Sequence, residues 1–163
     1  MADSKRPDAG VVPVERLREV PGLTFLESVV NGTFPAPPIC ATLGFDLVEA
    51  APGRAAFAGT PGREVQGPFG TVQGGYALTL LDSCMGCAVH SLLAAGQGFA
   101  TIETKVNFVR PLTDTTGLVR AEGKIVHAGE RIVTAEGRLV DAAGKLYAHG
   151  TSTCLILTLR VAQ

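Results

Sequence analysis

The longest apolar stretch of the chain begins directly after a pair of glycines. From Gly74 to about Ala95, apolar residues recur at steps of three and four, and Leu80, Cys84 and Cys87 widen the apolar face. A helix that is apolar over most of its circumference has to be covered by other elements, so this spacing predicts one long, largely buried helix. The segment AAGQG that follows is typical of a helix end.

After this helix the spacing of apolar residues changes to alternation. In TIETKVNFV, residues 101–109, the pattern predicts a strand with one face packed and the other in water or against a partner. The packed face is assigned to Ile102, Thr104, Val106 and Phe108. Three more strands are predicted in GLVRAEGKIVHA, RIVTAEGRLVDA and KLYAHGTSTCLILTL. Only short turns at Gly129 and Gly144 separate these three, so neighbouring strands should be antiparallel.

The N-terminal part of the chain consists of shorter segments. Residues 1–20 are polar without a sustained period, which predicts a loose arm. GLTFLESVVNG predicts a short helix, FPAPPIC an extended proline-rich linker, and LGFDLVEAAPGRAAFAGT two strands joined by a turn at Pro52-Gly53. We therefore predict an α+β fold, with a single domain over residues 21–163 in which the long helix packs on one face of an antiparallel sheet.

Length and charge exclude several classes of protein. A chain of 163 residues fits one domain of ordinary size. Its 14 basic and 15 acidic residues are spread along the sequence, so neither a nucleic acid nor a membrane surface is an expected partner. No segment reaches the roughly 20 apolar residues of a spanning helix, and MADSKRPDAG lacks the apolar core of a signal peptide. A cytoplasmic location is expected.

The cysteines and histidines offer two further kinds of chemistry. The sequence CMGC, from Cys84 to Cys87, could be a redox pair or could supply two metal ligands. A redox pair favours a helix N-terminus, whereas these thiols fall in the middle of the helix. A zinc site would need two more ligands, and neither a second C-x-x-C nor suitably spaced histidines follow. We expect buried thiols, structural histidines, no metal site and no cofactor.

One acid, Asp82, lies within the predicted helix, seven residues after Gly75. Two helical turns place both residues on nearly the same face, about 10 Å apart along the axis. The first turn has unpaired N–H groups, and glycines leave them accessible to a carbonyl oxygen or an anion. Acyl hydrolysis requires such a polarising group and a carboxylate, but one helix cannot bring both within about 3 Å of the same atom. A second copy of the chain, related by a two-fold axis, could supply the missing half.

Each of these features also has a purely structural explanation. Asp82 could be a buried acid that is hydrogen-bonded to Ser83 or to a backbone group, or an acid at a solvated edge. Gly74-Gly75 could form nothing more than a tight entry turn. Neither feature is specific alone.

Taken together, three motifs carry a resemblance to a known family. They are GTVQGGYALTLLDSCMGCA, TIETKVNFVRP and AEGKIVHAG, and they occur in this order along the chain. From about Gly22 to Leu157 the sequence resembles the hotdog-fold acyl-CoA thioesterases of the phenylacetic-acid-degradation (PaaI) type. That family typically has G-x-x-H-G-G followed by an acid seven residues after the second glycine, and this chain keeps the spacing between Gly-Gly and the acid.

The resemblance implies an antiparallel sheet wrapped around one long central helix, and hydrolysis of an acyl-CoA thioester in a site shared by two subunits. Asp82 is then the nucleophile or general base, and the backbone N–H of Gly74 in the other subunit polarises the thioester carbonyl, with Gly75 in contact with substrate. Thr101 matches a strand position where some relatives have a hydroxyl that helps to position the attacking water. A homodimer is expected as the minimum active unit, and a homotetramer as the assembly.

The resemblance also suggests where coenzyme A binds. Arg110, in VRP, and Arg131, directly after HAGE, resemble positions near the CoA phosphates. Both have the alternative of being ordinary surface arginines, just as Thr101 could be a strand hydroxyl without a catalytic role.

Two positions depart from the family pattern. Gln73 stands where the family usually has His, and an amide donates and accepts hydrogen bonds but takes up no proton near neutral pH. Gly67 stands where relatives often have Asn or Gln, and the neighbouring Gln66 could take that place as a substrate-orienting residue or could be an ordinary loop side chain.

These departures keep a second function open, a non-catalytic hotdog module that binds acyl-CoA or a related ligand. A redox protein that uses Cys84 and Cys87 is a third possibility. The acyl group cannot be assigned from the sequence, because aromatic residues that could line an acyl or aryl pocket are equally plausible as core residues.

Overall fold

A computed structural model of the chain describes residues 9–160, and it has the predicted α+β architecture. Its helices are α1 Val14–Leu17, α2 Gly22–Val30, α3 Pro38–Leu43 and α4 Gly74–His90. Its strands are β1 Phe45–Ala51, β2 Arg54–Gly59, β3 Gln97–Phe108, β4 Val119–Ala128, β5 Ile132–Asp141 and β6 Leu146–Thr158. All pairs are antiparallel, and the six strands form one sheet in the order β1-β2-β4-β5-β6-β3. Strand β3 therefore lies at an edge of the sheet.

Helix α4 is the centre of the hydrophobic core, as its apolar pattern predicts. It packs against β2, β4 and β5, and the side chains of Leu80, Leu81, Cys84 and Met85 are fully buried. Truncating one such leucine to alanine costs about 2 to 5 kcal/mol, because the surroundings only partly fill the cavity that is left.

Two paired glycines allow the sheet to approach the middle of α4 closely, and a third lies next to them in register. Gly123 on β4 pairs with Gly137 on β5, and Gly137 pairs with Gly150 on β6. A Cβ at Gly123 would lie only 2.4 Å from the carbonyl oxygen of Cys84. At Gly137 a Cβ would lie 3.0 Å from Cγ of Met85, whereas at Gly150 it would meet β3, so Gly123 and Gly137 leave the room that the helix occupies.

The predicted β1–β2 hairpin is confirmed. Gly53 in its turn has φ +71°, a left-handed conformation that glycine adopts without a steric penalty. Ser91, which follows α4, accepts a hydrogen bond from the Gly53 N–H at 2.8 Å and so ties this turn to the end of the central helix.

Two boundaries differ from the prediction. The linker FPAPPIC is not extended throughout, because α3 begins at Pro38; proline favours the first turn of a helix, where its missing N–H is not needed. The central helix ends at His90 rather than near Ala95, because the Ser91 hydroxyl bonds back to the Ala88 carbonyl and the chain turns there towards β3.

The predicted N-terminal arm lies partly outside the described residues. Within the part that is described, α1 forms a single short helix, and the Gly10 N–H donates to the Ala36 carbonyl at 2.9 Å. The division of the chain at residue 20 stays a prediction. Between residues 9 and 160, no helix has the length and apolar character needed to cross a bilayer.

Candidate active site

Asp82 lies half-buried on α4, with its carboxylate turned towards the edge strand β3. Its Oδ1 accepts hydrogen bonds from the hydroxyl of Thr101 at 3.2 Å and from the hydroxyl of Thr104 at 3.0 Å. The carboxylate lines a cleft of about 430 Å³ with Leu78, Ile102 and other residues of α3, α4 and β3. Asp82 is thus held by two strand hydroxyls at the wall of an open cleft, and not by Ser83.

A β-bulge brings both hydroxyls to the same side of β3. Along β6, Cys154 pairs with Thr101 and the next residue, Thr153, pairs with Glu103, so Ile102 is the extra residue on β3. In a regular strand, residues three apart point to opposite faces, but one extra residue between them restores them to the same face. The expectation that Ile102 shares the packed face with Thr104 is therefore wrong, and the Ile102 side chain is 59% exposed.

The start of α4 is the second component of the site. Gln73 is the N-cap residue, with φ −60° and ψ 135°, and Gly74 is the first helical residue. A Cβ at Gly74 would approach the Phe108 ring to 3.3 Å, whereas the space beside Gly75 is open to at least 4 Å. Unpaired N–H groups and the positive end of the helix dipole make this exposed turn a site for a carbonyl oxygen or an anion.

These two components do not meet within one subunit. Gly74 lines a cleft of about 360 Å³ near Phe108, while Asp82 lines the separate cleft next to Thr101 and Thr104. Eight residues of helix separate Gly74 from Asp82, which is about 12 Å along the axis. The axial separation of the helix start from Asp82, which the sequence implies, is therefore present in the fold.

Gln66 and Gln73 are brought together at the entrance of α4. Both line a cleft of about 410 Å³ that also contains Gly75 and Thr79. The Gln73 N–H donates to the Val65 carbonyl at 2.8 Å, which holds the loop against the helix start.

The two basic residues assigned to coenzyme A lie far apart in one subunit. Nη1 of Arg110 donates to the Leu146 carbonyl, and its guanidinium lies 5.8 Å from the centre of the Tyr147 ring, beside the Gly74 cleft. The Arg131 carbonyl instead accepts from the Ile156 N–H, at the other end of β6. Nine residues of strand separate Tyr147 from Ile156, about 30 Å.

The buried thiols do not have the character of a redox pair. Burial is the main reason why the pKa of Cys87 is raised to about 12. Burial also raises the pKa of Cys84 well above the ordinary range of a thiol. A thiol with a raised pKa is a poor nucleophile near neutral pH. The residues from 9 to 160 contain no cluster of three or more side chains that could hold a metal ion.

Two polar residues of this region were not singled out in the sequence. Thr104 bonds to Asp82, and the buried Ser152 on β6 lies with its Oγ 3.2 Å from Oγ1 of Thr104. The alternating pattern correctly predicts that Thr104 faces inward, but a threonine among apolar residues is not by itself a sign of function. For Ser152 the sequence offers no sign, because it lies between Thr151 and Thr153 in the polar part of KLYAHGTSTCLILTL.

Comparisons with known proteins agree on one family. The sequence model of the Thioesterase superfamily matches residues 69–148. No curated protein sequence matches the chain significantly. The structure is similar to that of a phenylacetic acid degradation-related protein from Ralstonia eutropha JMP134, with 26% identity, a TM-score of 0.73 and coverage of 80% of this chain and 98% of the other.

Two further solved structures have the same fold. A thioesterase family protein from Silicibacter pomeroyi has 26% identity, a TM-score of 0.72 and coverage of 82% of this chain and 98% of its own. The E. coli PaaI protein from the phenylacetic acid degradation operon has 17% identity, a TM-score of 0.73 and coverage of 84% and 96% respectively, which supports the fold alone. The chain thus matches the Thioesterase superfamily over residues 69–148 and has a hotdog fold of the PaaI type, and both findings support a thioester hydrolase.

Proposed function

We propose that this protein hydrolyses acyl-CoA thioesters in a site formed by two subunits, with Asp82 of one subunit and Gly74 of the other. The observation that carries the proposal is the separation of two complementary components. A carboxylate held by Thr101 and Thr104 lies in one cleft, and the exposed helix start lies in another. Each is one half of an acyl-hydrolysis site, and neither is complete alone.

The antiparallel arrangement of α4 and β3 supports a two-fold that would complete both sites. Gly74 lies beside Phe108 at the end of β3, and Asp82 lies beside Thr104 further back on the same strand. An axis that passes close to Lys105 would pair β3 with β3 of a second copy in antiparallel register. It would also bring each Asp82 next to Gly74 of the partner subunit.

Exposed apolar surface supports the same axis. Leu78 lies midway between Gly74 and Asp82 on α4, and its side chain is 38% exposed. Ile102 projects from the unpaired edge of β3. An edge strand with unpaired N–H and C=O groups accepts another strand readily, and a two-fold makes the same apolar patch serve both subunits. The expected homodimer, and a homotetramer built from it, remain proposals.

In this arrangement Asp82 acts as a base or as a nucleophile. As a base, it removes a proton from water while the oxygen of that water bonds to the thioester carbonyl carbon. The N–H of Gly74 from the partner stabilises the negative charge that develops on the carbonyl oxygen. The carbon–sulfur bond then breaks, CoA leaves as the thiolate, and the proton on Asp82 is available to it. As a nucleophile, Asp82 would form a mixed anhydride that water hydrolyses.

Gln73 is compatible with this chemistry. A thiol has an ordinary pKa of about 8.5, so its thiolate leaves without the proton that an alcohol or amine requires. An amide next to Gly74 then only has to orient the substrate, which it can do by donating and accepting hydrogen bonds. Gln66 lines the same cleft and is assigned the same orienting role.

The proposed two-fold also relates the two basic residues. The end of β6 that carries Arg131 would lie on the same side of the dimer as Arg110 of the partner subunit. About three strand spacings of ~4.8 Å would separate them. Both guanidinium groups could then contact phosphates of one CoA, because arginine binds phosphate through paired N–H donors.

Thiol release from a panel of acyl-CoAs tests the proposal. Asp82→Asn and Asp82→Ala should lower kcat on the order of 10²-fold or more, because the base or nucleophile is lost. Glu27→Gln, which removes an exposed acid from α2, should leave kcat unchanged. A parent no faster than the Asp82 variants would refute the hydrolase. If acyl-CoA then raised the melting temperature without turnover, the chain would be a binding module instead.

A further inference from the structure

The two hydroxyls that bond to Asp82 differ in their surroundings. Thr101 is exposed, so water or substrate can compete for its hydroxyl, whereas Thr104 is half-buried between α4 and β6. Both reach the same oxygen, Oδ1, and no hydrogen bond within residues 9–160 reaches Oδ2. One carboxylate oxygen is thus engaged by these two hydroxyls and the other is not, while Asp82 itself lines the cleft.

Behind Thr104 lies a second hydroxyl with no access to solvent. Ser152 is 2% exposed, and its Oγ is 3.2 Å from Oγ1 of Thr104 and 3.1 Å from the carbonyl oxygen of Glu103. A buried hydroxyl is costly unless it is hydrogen-bonded, and this serine donates its one proton to the Glu103 carbonyl. It reaches Thr104 by sharing that proton between the two oxygens, in a bifurcated hydrogen bond.

The charge on Asp82 sets the direction of this chain of hydroxyls. An ionised carboxylate only accepts, so the single proton of the Thr104 hydroxyl must point to Oδ1. The lone pairs of Thr104 are then free to accept from Ser152. A hydrogen bond that ends on a charged oxygen polarises the one behind it, so the two bonds reinforce each other.

We propose that Thr104, supported by the buried Ser152, is a positioning residue that fixes the Asp82 carboxylate with Oδ2 facing the substrate. This inference rests on the proposed thioesterase function. It assigns different roles to the two threonines: Thr104 holds the carboxylate permanently, and Thr101 can exchange its bond to Asp82 for one to the attacking water. Neither Thr104 nor Ser152 touches the reacting atoms.

Steady-state kinetics on the full-length protein test the assignment. Thr104→Val keeps the shape and removes the hydroxyl, and it should lower kcat about tenfold with little change in KM, the loss expected for one hydrogen bond to a charged group. Thr104→Ser retains the hydroxyl and should restore most of kcat. Thr151→Val makes the same chemical change on the exposed face of β6 and should behave as the parent.

Ser152→Ala distinguishes a relay from a mere packing role. It should lower kcat by a smaller factor than Thr104→Val, and the double variant should be no slower than Thr104→Val alone, because Ser152 acts through Thr104. If the two substitutions only caused independent packing defects, the factors by which they lower kcat would multiply in the double variant. Thermal melting checks that each variant is folded, and Thr104→Ala takes the place of Thr104→Val if the latter is not.

Asp82→Asn in the same assay separates the inference from the function on which it rests. If Asp82→Asn is inactive while Thr104→Val keeps the parent kcat, the inference is wrong and the thioesterase stands. A raised KM with unchanged kcat would also overturn it, since that would make Thr104 a substrate contact. If Asp82→Asn is as active as the parent, the proposed function fails, and the positioning role fails with it.

Discussion

Gly67 and Gln73, the two departures from the family pattern, lie against each other at the entrance of α4. A Cβ at Gly67 would stand 2.7 Å from Oε1 of Gln73. The two positions are therefore coupled: the absence of a side chain at one gives room for the amide of the other. Gly67 has no positive φ, so alanine is conformationally allowed there and the effect of a methyl group can be measured.

Gly67→Ala should lower kcat/KM several-fold, because its methyl group displaces the Gln73 amide from its position beside the substrate. In a Gln73→Ala background the space is already empty, so Gly67→Ala should then have no further effect. This double-mutant cycle measures the coupling directly. Additive losses would mean that the two residues act separately.

Mixed dimers test whether Asp82 and Gly74 act across subunits. Gly74→Pro removes the N–H at the first helical position, where proline is tolerated and where the preceding Gln73 already has a compatible ψ of 135°. Dimers of Asp82→Asn and dimers of Gly74→Pro should each be inactive. After subunit exchange they should recover about a quarter of parent activity, since half of the dimers would have one intact site of two.

Gly74→Ala is the control for that experiment, because it retains the N–H while adding a methyl group at 3.3 Å from the Phe108 ring. It should keep far more activity than Gly74→Pro. Failure of the mixture to recover any activity would place both groups in one subunit, contrary to the proposal.

Leu78→Asp should convert the dimer to a monomer and abolish hydrolysis, because it buries a charge at the proposed two-fold without a partner. Leu118→Asp is the matched control, since Leu118 is 54% exposed before β4 and away from the α4 face. Sedimentation velocity gives the oligomeric state. A Leu78→Asp variant that remains dimeric would exclude this face as the interface.

Gly123→Ala should destabilise the fold by about 1 to 3 kcal/mol or more, because the added methyl group meets backbone rather than a flexible side chain. Its nearest contacts are the Cys84 carbonyl at 2.4 Å and the Met85 nitrogen at 2.6 Å. Urea unfolding measures the change. Lys124→Ala, the exposed neighbour on β4, should stay within about 0.5 kcal/mol of the parent.

Stability should decrease towards acid pH in part through His90. Burial lowers the pKa of this histidine, which packs between the Phe25 and Phe99 rings at 5.5 and 5.9 Å. Below the unfolded-state pKa of about 6.5, the unfolded chain binds a proton at this histidine that the folded chain resists. The stability that comes from burying neutral His90 is therefore fully present above that pH and is lost as the pH falls through the lowered pKa of the folded state.

Unfolding free energies measured between about pH 7.5 and pH 5 should therefore decline less steeply for His90→Gln than for the parent. His127→Gln, an exposed histidine on β4, should follow the parent curve. Identical slopes for the parent and His90→Gln would contradict the assignment.

The sequence predicted those parts of the fold that depend on local pattern. The sequence predicts the apolar face of α4 and the turn at Pro52-Gly53, because a buried helix and a tight hairpin each require a particular spacing of residues. The separation of Gly74 from Asp82 followed from helix geometry alone. These are properties of one segment taken by itself.

What could not be predicted depends on contacts between segments. The tie between Ser91, at the end of α4, and Gly53 in the β1–β2 turn joins two segments that are distant in the sequence. The hydrogen bond of Thr104 to Asp82 depends on a bulge that is defined only against β6. Register with a partner strand leaves no mark in the alternation of a single strand, so Ile102 was assigned to the wrong face.

The bulge makes the surroundings of Asp82 depend on the number of residues in a strand as well as on their identity. Thr101 belongs to the segment of β3 before the extra residue and Thr104 to the segment after it, and the Asp82 carboxylate joins the two. Removing or adding a single residue between them would turn one hydroxyl away while most of the ladder to β6 could still form. A homologue with the aspartate and both threonines would therefore still lose this arrangement if one residue were inserted or deleted between the threonines.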